Sequence, residues 1–158
     1  MEKLIRKIKF DGIYDIINEL VEKAFEKITL ELPQDKYIAY VPMYRKREKE
    51  RGFNQSELIA KKLAEITKAE VRPLLIKIKD NRSQVGLNPQ EREENVKGVF
   101  EFWTSDVHRT SDVHNGLLVD DVYTTGATIK ECTKVLKKAG VKNIWGFTLS
   151  RKMNIQSY

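Results

Sequence analysis

Leu117 to Thr128, LLVDDVYTTGAT, constrains the fold of this chain more than any other stretch. Gly116 to Val119 reads as a short strand that is apolar throughout, the pattern of a strand covered on both faces in a parallel sheet. It runs into two aspartates. Small residues then turn the chain into a helix over Gly126–Ala139, with Ile129, Cys132, Val135, Leu136 and Ala139 inward and Gly140 just past its end. A strand that feeds a helix through so tight a turn is half of a βαβ unit.

The remaining segments agree with that architecture. Ile13, Ile16, Ile17, Leu20, Val21, Ala24, Phe25 and Ile28 recur at helical spacing behind Asp11, with Pro33 beyond. Tyr37–Met43 predicts a strand, with Pro42 at its edge, followed by a basic loop. Phe53–Thr67 predicts a helix that buries Leu58, Ile59, Leu63 and Ile66. Val71–Lys79 predicts a strand and Asp80–Asn88 a polar loop. Asn88, Pro89 and Glu91 mark a capped helix start. Gly98–Trp103 and Asn143–Leu149 predict two more strands. Thr104–His108 repeats at Thr110–His114 (TSDVH), read as a duplicated surface turn. The fold class expected is α/β, a mostly parallel central sheet flanked by helices. Residues 1–158 form one domain on this reading, with a helical segment at 1–31 and a core at 37–151.

Composition excludes several function classes. At 41% hydrophobic and 33% charged, the chain is neither disordered nor a membrane protein. No stretch nears a membrane span, and MEKLIRKIKFDG lacks the apolar core of a signal peptide. The single cysteine, Cys132, excludes an internal disulfide and a cysteine-built zinc site, which suits a reducing cytoplasm. Net charge is +6, which favours an anionic partner without naming it. Tyr44–Arg51 concentrates five basic residues against two acidic ones.

Leu117–Thr128 also carries the chemistry. The strand delivers Asp120 and Asp121 to its C-terminal end, the edge where open α/β sheets bind ligands. Thr124, Thr125, Gly126, Ala127 and Thr128 then present backbone N–H groups, hydroxyls and the positive end of a helix, an anion cradle. Two carboxylates beside a phosphate cradle suit a ribose phosphate, since diols donate to carboxylates and Mg²⁺ bridges carboxylate and diphosphate oxygens. An acidic turn with a threonine cap is the plainer alternative. Neither GxxxxGK[ST] nor GxGxxG occurs, so this is not a P-loop or a dinucleotide fingerprint.

LLVDDVYTTGAT resembles the phosphoribosyl-diphosphate (PRPP) motif of type I phosphoribosyltransferases. Three more stretches narrow the resemblance to the ComF family of competence-associated phosphoribosyltransferase-like proteins. They are VPMYRKREKERGFNQSELIA from Val41, then Gln84, Leu87, Arg92 and Asn95 in QVGLNPQEREEN, and the early LIRKIKFDG. Many members carry an N-terminal zinc ribbon. This sequence begins where that ribbon would end, and no zinc is expected.

The resemblance implies a PRPP site formed by Asp120, Asp121, Val122, Tyr123, Thr124, Thr125, Gly126, Ala127 and Thr128. Asp120 and Asp121 would hold the ribose hydroxyls directly or through Mg²⁺, and the threonine turn would wrap the 5′-phosphate. Pro42, Met43 and Arg51 fall where type I enzymes bind pyrophosphate. Asp80–Asn88 takes the place of their mobile catalytic loop. The implied reaction displaces pyrophosphate at the anomeric carbon with a nitrogen nucleophile. Arg51, Lys77 and Arg92 are the leaving-group stabilisers it suggests, with a solvated surface charge the alternative at each. Trp103, Trp145 and Cys132 read as packing residues. A second class of function also fits the resemblance, a non-catalytic or PRPP-regulated competence module that binds single-stranded DNA or a helicase. The oligomeric state stays open, with a dimer among the options.

Overall fold

The computed structural model describes residues 2–26, 36–81, 86–103 and 114–151, with the side chains of residues 2–11, 36 and 151 excepted. Most of the duplicated TSDVH segment and the centre of the Asp80–Asn88 connection lie outside the described residues. The elements run α1 (Glu2–Glu26), β1 (Lys36–Tyr40), α2 (Arg45–Arg51), α3 (Gln55–Thr67), β2 (Glu70–Val71), β3 (Leu75–Lys77), α4 (Pro89–Val96), β4 (Phe100–Phe102), β5 (Asn115–Tyr123), α5 (Ala127–Lys138) and β6 (Asn143–Arg151).

Four strands form a parallel sheet in the order β2-β1-β5-β6, and β3 and β4 form a separate antiparallel pair. The fully buried Leu117, Leu118 and Val119 of β5 explain its central place. Leu117 and Val119 pack with Ile17 and Val21 of α1 and Leu58, Ile59 and Leu63 of α3. Leu118 packs on the other side with Cys132 and Leu136 of α5, Val96 of α4 and Phe100 of β4. Strand side chains alternate between faces, so one short apolar run seeds both cores. Among the described residues no helix is long and apolar enough to cross a membrane.

Several expected boundaries differ. Helix α1 starts at Glu2 rather than near Asp11, because Glu, Lys, Leu and Arg make up most of that first stretch and favour helix. On α1, Ile17 and Val21 are buried but Ile16 and Leu20 are half exposed, so the apolar stripe is wider than the groove it fills. The basic segment expected as a loop is helix α2. Its Arg, Lys and Glu residues are strong helix formers, and Gly52, at φ +92°, closes it by donating to the Glu48 carbonyl at 2.7 Å. The strand expected over Val71–Lys79 is split at Pro73, which has no N–H to continue a ladder. β2 therefore pairs with β1, and β3 pairs with β4. Trp103 is exposed rather than packed. The capped start of α4 is as expected, with Asn88 and Glu91 exchanging both hydrogen bonds of a capping box.

The chain leaves β1 to build α2, α3 and β2 on one side, and returns to place β5 on the other. The C-terminal ends of β1 and β5 are thus a topological switch point, where such sheets bind ligands.

Candidate ribose-phosphate site

Strand β5 is longer than its apolar run. Pairing with β6 continues through Asp120↔Thr148 to Tyr123↔Arg151, so both aspartates lie within the strand. Across the switch point, the Val41 N–H donates to the Val119 carbonyl at 2.9 Å, which brings the end of β1 level with Asp120.

A cavity of about 460 Å³ opens here, within the size range of small-molecule sites. Every residue from Asp120 to Thr128 except Thr125 lines it, together with Gly86, Arg92 and Ile129. Thr125 turns inward on its own loop, where its Oγ1 accepts from the Ala127 N–H at 3.4 Å. Gly126 stands at the N-cap of α5 with φ +77°, a conformation that favours glycine. Its missing side chain is also filled space. A β-carbon there would stand 2.6 Å from the Tyr123 hydroxyl oxygen.

Asp120 is buried, and its Oδ1 accepts from the Ser56 hydroxyl at 3.2 Å and from the Asp121 N–H at 3.0 Å. Burial, and then the neighbouring Asp121 carboxylate, raise its pKa to about 7, against the opposing pull of these two hydrogen bonds. Asp121 is half-buried at the cavity wall. Two hard carboxylates suit Mg²⁺. Among the described residues no group of three or more His, Cys, Asp or Glu could cage a metal. Two carboxylates fit a cation that keeps most of its waters.

No protein-family model matches the chain. It is 31% identical over 151 residues to competence protein F of Haemophilus influenzae, covering 90% of this chain and 65% of that protein. It is 27% identical over 158 residues to the DNA utilization protein YhgH of Salmonella typhi, covering 95% and 66%. Relatives named competence protein F and competence protein ComFC thus match this chain along nearly its whole length. The chain spans no more than about two thirds of the length of these curated relatives. In fold, the solved structure of the allosteric regulatory enzyme of purine biosynthesis matches 87% of this chain and 26% of its own, at 18% identity and TM-score 0.56. The architecture is that of type I phosphoribosyltransferases.

The basic residues singled out in the sequence are not all brought together. Arg92 lines the cavity, and its Nε donates to the Leu87 carbonyl at 2.9 Å. Arg51 ends α2 with its guanidinium 5.3 Å from the Phe53 ring centre, outside the cavity lining. Pro42 and Met43 are half-buried after β1 and also outside the lining. Lys77 lies 5.7 Å from the Phe100 ring centre. Burial, and then the Arg47 charge, lower its pKa, while Asp80 and Asp120 act on it in the opposite sense.

Sequence reasoning missed two features. Arg47 is tied down, with Nε 2.5 Å from Asp80 Oδ1 and a terminal nitrogen donating to the Asn81 carbonyl at 2.8 Å. Asn54 and Ser56 are buried behind Asp120. Their available signal was the Asn54-x-x-Glu57 spacing of a helix cap. Nothing in the sequence marked Arg47 apart from its basic neighbours.

Proposed function

We propose that this chain, like the competence proteins it resembles, has a phosphoribosyltransferase-like site, and that it binds PRPP with Mg²⁺ in the switch-point cavity and transfers its phosphoribosyl group to a nitrogen acceptor, releasing pyrophosphate. The observation that carries this reading is the single strand–turn–helix from Asp120 to Thr128, which lines one cavity with two carboxylates at one end and a helix N-terminus at the other. The N-terminal turn of α5 would take the 5′-phosphate through its N–H groups. Asp120 and Asp121 would accept from the ribose hydroxyls. Mg²⁺ would screen the diphosphate charge. Arg92 at the wall would stabilise charge that builds on the leaving group, an electrostatic role worth most where water is excluded.

Titration with PRPP tests the reading. With Mg²⁺, saturating PRPP should raise the melting temperature, as any ligand of the folded state does; at 100 times Kd the gain is about 2.7 kcal/mol. Asp120→Asn with Asp121→Asn should abolish that shift in a folded protein. A shift that survives the double change would sink the assignment. Pyrophosphate release in the presence of candidate amines and bases then identifies the acceptor.

A second reading, a competence module that binds single-stranded DNA or a helicase in the cytoplasm, is supported by two observations. Arg45 and Lys46 are exposed on α2, and one relative is a DNA utilization protein.

A further inference from the structure

A chain of buried side chains joins the two segments that meet at the switch point. The Asn54 side-chain amide donates to the Val41 carbonyl at 3.1 Å, on the residue before Pro42 and Met43. Its Oδ1 accepts from the Ser56 N–H at 3.1 Å, and the Ser56 hydroxyl donates to Asp120 at 3.2 Å. Asn54 and Ser56 are each only 4% exposed, and neither lines the cavity. Capping α3 needs only the Asn54 oxygen, as Asn88 does in the open at α4. Burying an amide nitrogen and a hydroxyl as well is unfavourable unless each is paired. Here each is paired, and the partners lie on opposite sides of the switch point, the carbonyl of β1's end and the carboxylate of β5. Rigid spacing between those two groups would set the distance between a ribose and the diphosphate it carries.

We infer that Asn54 and Ser56 are positioning residues that hold the loop after β1 and the Asp120 carboxylate in register, so that one ligand engages both. The inference rests on the PRPP reading above. Ser56 acts through Asp120 on the ribose half, and Asn54 acts through Val41 on the loop after β1, which borders the switch point beside the cavity lining and on this inference meets the diphosphate half as the ligand extends past the lining. Neither touches the ligand.

Ligand fragments separate this from a purely structural role. Ser56→Ala should weaken ribose 5-phosphate about tenfold and leave pyrophosphate unchanged, the scale of one hydrogen bond to a charged group. Asn54→Ser keeps a cap oxygen but cannot reach Val41. It should weaken pyrophosphate by a similar factor and spare ribose 5-phosphate. Both should weaken PRPP. Should Asn54→Ser fail to fold, Ser56→Ala and the near-isosteric Ser56→Cys carry the test from the other end. A ligand-free readout accompanies these. Hydrogen exchange at the Asp121 amide, which donates to the same Asp120 oxygen, should quicken about tenfold in Ser56→Ala while the middle of α5 is unaffected. Wild-type protein that binds neither PRPP nor either fragment would remove the PRPP reading, and the exchange rate alone would then decide the coupling. Equal losses for both fragments, undiminished affinity in folded variants, or unchanged exchange at Asp121 would overturn it.

Discussion

The Tyr123 ring occupies the space where any side chain on Gly126 would begin. An ideal β-carbon at Gly126 stands 2.6 Å from the Tyr123 hydroxyl oxygen and 2.8 Å and 2.9 Å from two ring carbons. The last residue of β5 thereby fixes the backbone that starts α5, and the turn between them is locked from within. Gly126→Ala is strained twice, by the ring and by φ +77°. It should destabilise the protein by about 1–3 kcal/mol and weaken PRPP in parallel. Tyr123→Ala removes the ring and leaves the φ. In a double-mutant cycle by urea unfolding, Gly126→Ala should therefore cost less in the Tyr123→Ala background. Strictly additive effects would show that the ring does not bear on the turn.

Asp120 makes stability fall as pH rises. Its pKa is raised from an ordinary 3.8 to about 7, chiefly by burial. Between those values the folded state keeps a proton that the unfolded chain releases, so the stabilisation present below about pH 4 is lost through about pH 7. Asp120→Asn carries no such charge. It should be more stable than wild type at pH 8, with about 4 kcal/mol as the ceiling for three pKa units, and the difference should shrink towards pH 4.5. Urea unfolding at the two pH values checks this. Equal stabilities at pH 8 would mean that the carboxylate is solvated. Binding has the opposite sign. A ribose or Mg²⁺ ligand prefers the carboxylate, so PRPP affinity should climb with pH up to about 7.

How much of this was legible in the sequence depends on the kind of signal. Leu117–Val119, Gly126 and the Asn88 box announce themselves through local chemistry that no tertiary context overrode. Arg45–Arg51 did not, because charge density read as exposure says nothing about helix, and α2 buries no side chain to give a period. Asp120 was placed from the motif. Its burial was not, since that depends on Ser56, distant in sequence and brought close only when α3 packs on β5. Arg47 is the same case, with partners Asp80 and Asn81 supplied by a segment beyond two intervening strands.

The α4 cap borders the site, since Arg92 occupies the turn that Asn88 begins. Asn88 Oδ1 accepts from the Glu91 N–H at 2.9 Å, and Glu91 returns the bond to the Asn88 N–H at 2.7 Å. Asn88→Ala should destabilise the protein by about 1 kcal/mol, and Asn88→Asp should be near neutral because it keeps the acceptor. If Arg92 serves the leaving group, Asn88→Ala should also weaken pyrophosphate more than ribose 5-phosphate. Calorimetric titration of both fragments gives the ratio, and an unchanged ratio would separate the cap from the site.

Within α2 the basic residues divide into two groups, and that division separates the DNA reading from the enzyme reading. Arg47 is committed to Asp80 and the Asn81 carbonyl, while Arg45 and Lys46 are exposed. If single-stranded DNA runs along α2, Arg45→Ala with Lys46→Ala should remove two phosphate contacts. For single strands each contact contributes a slope of about −0.7 in log K against log[salt], so the slope should flatten by about 1.4. Affinity should fall alike for all sequences, because phosphate contacts carry no base information. Arg47→Ala should behave differently. It frees Asp80 beside Lys77, and the altered charge should appear in PRPP affinity rather than in the salt slope. Filter binding from low to physiological salt, run beside PRPP titrations of the same variants, reads both. A slope unmoved by the double change would take α2 out of any nucleic-acid interface and leave the switch-point cavity as the anion site to be explained.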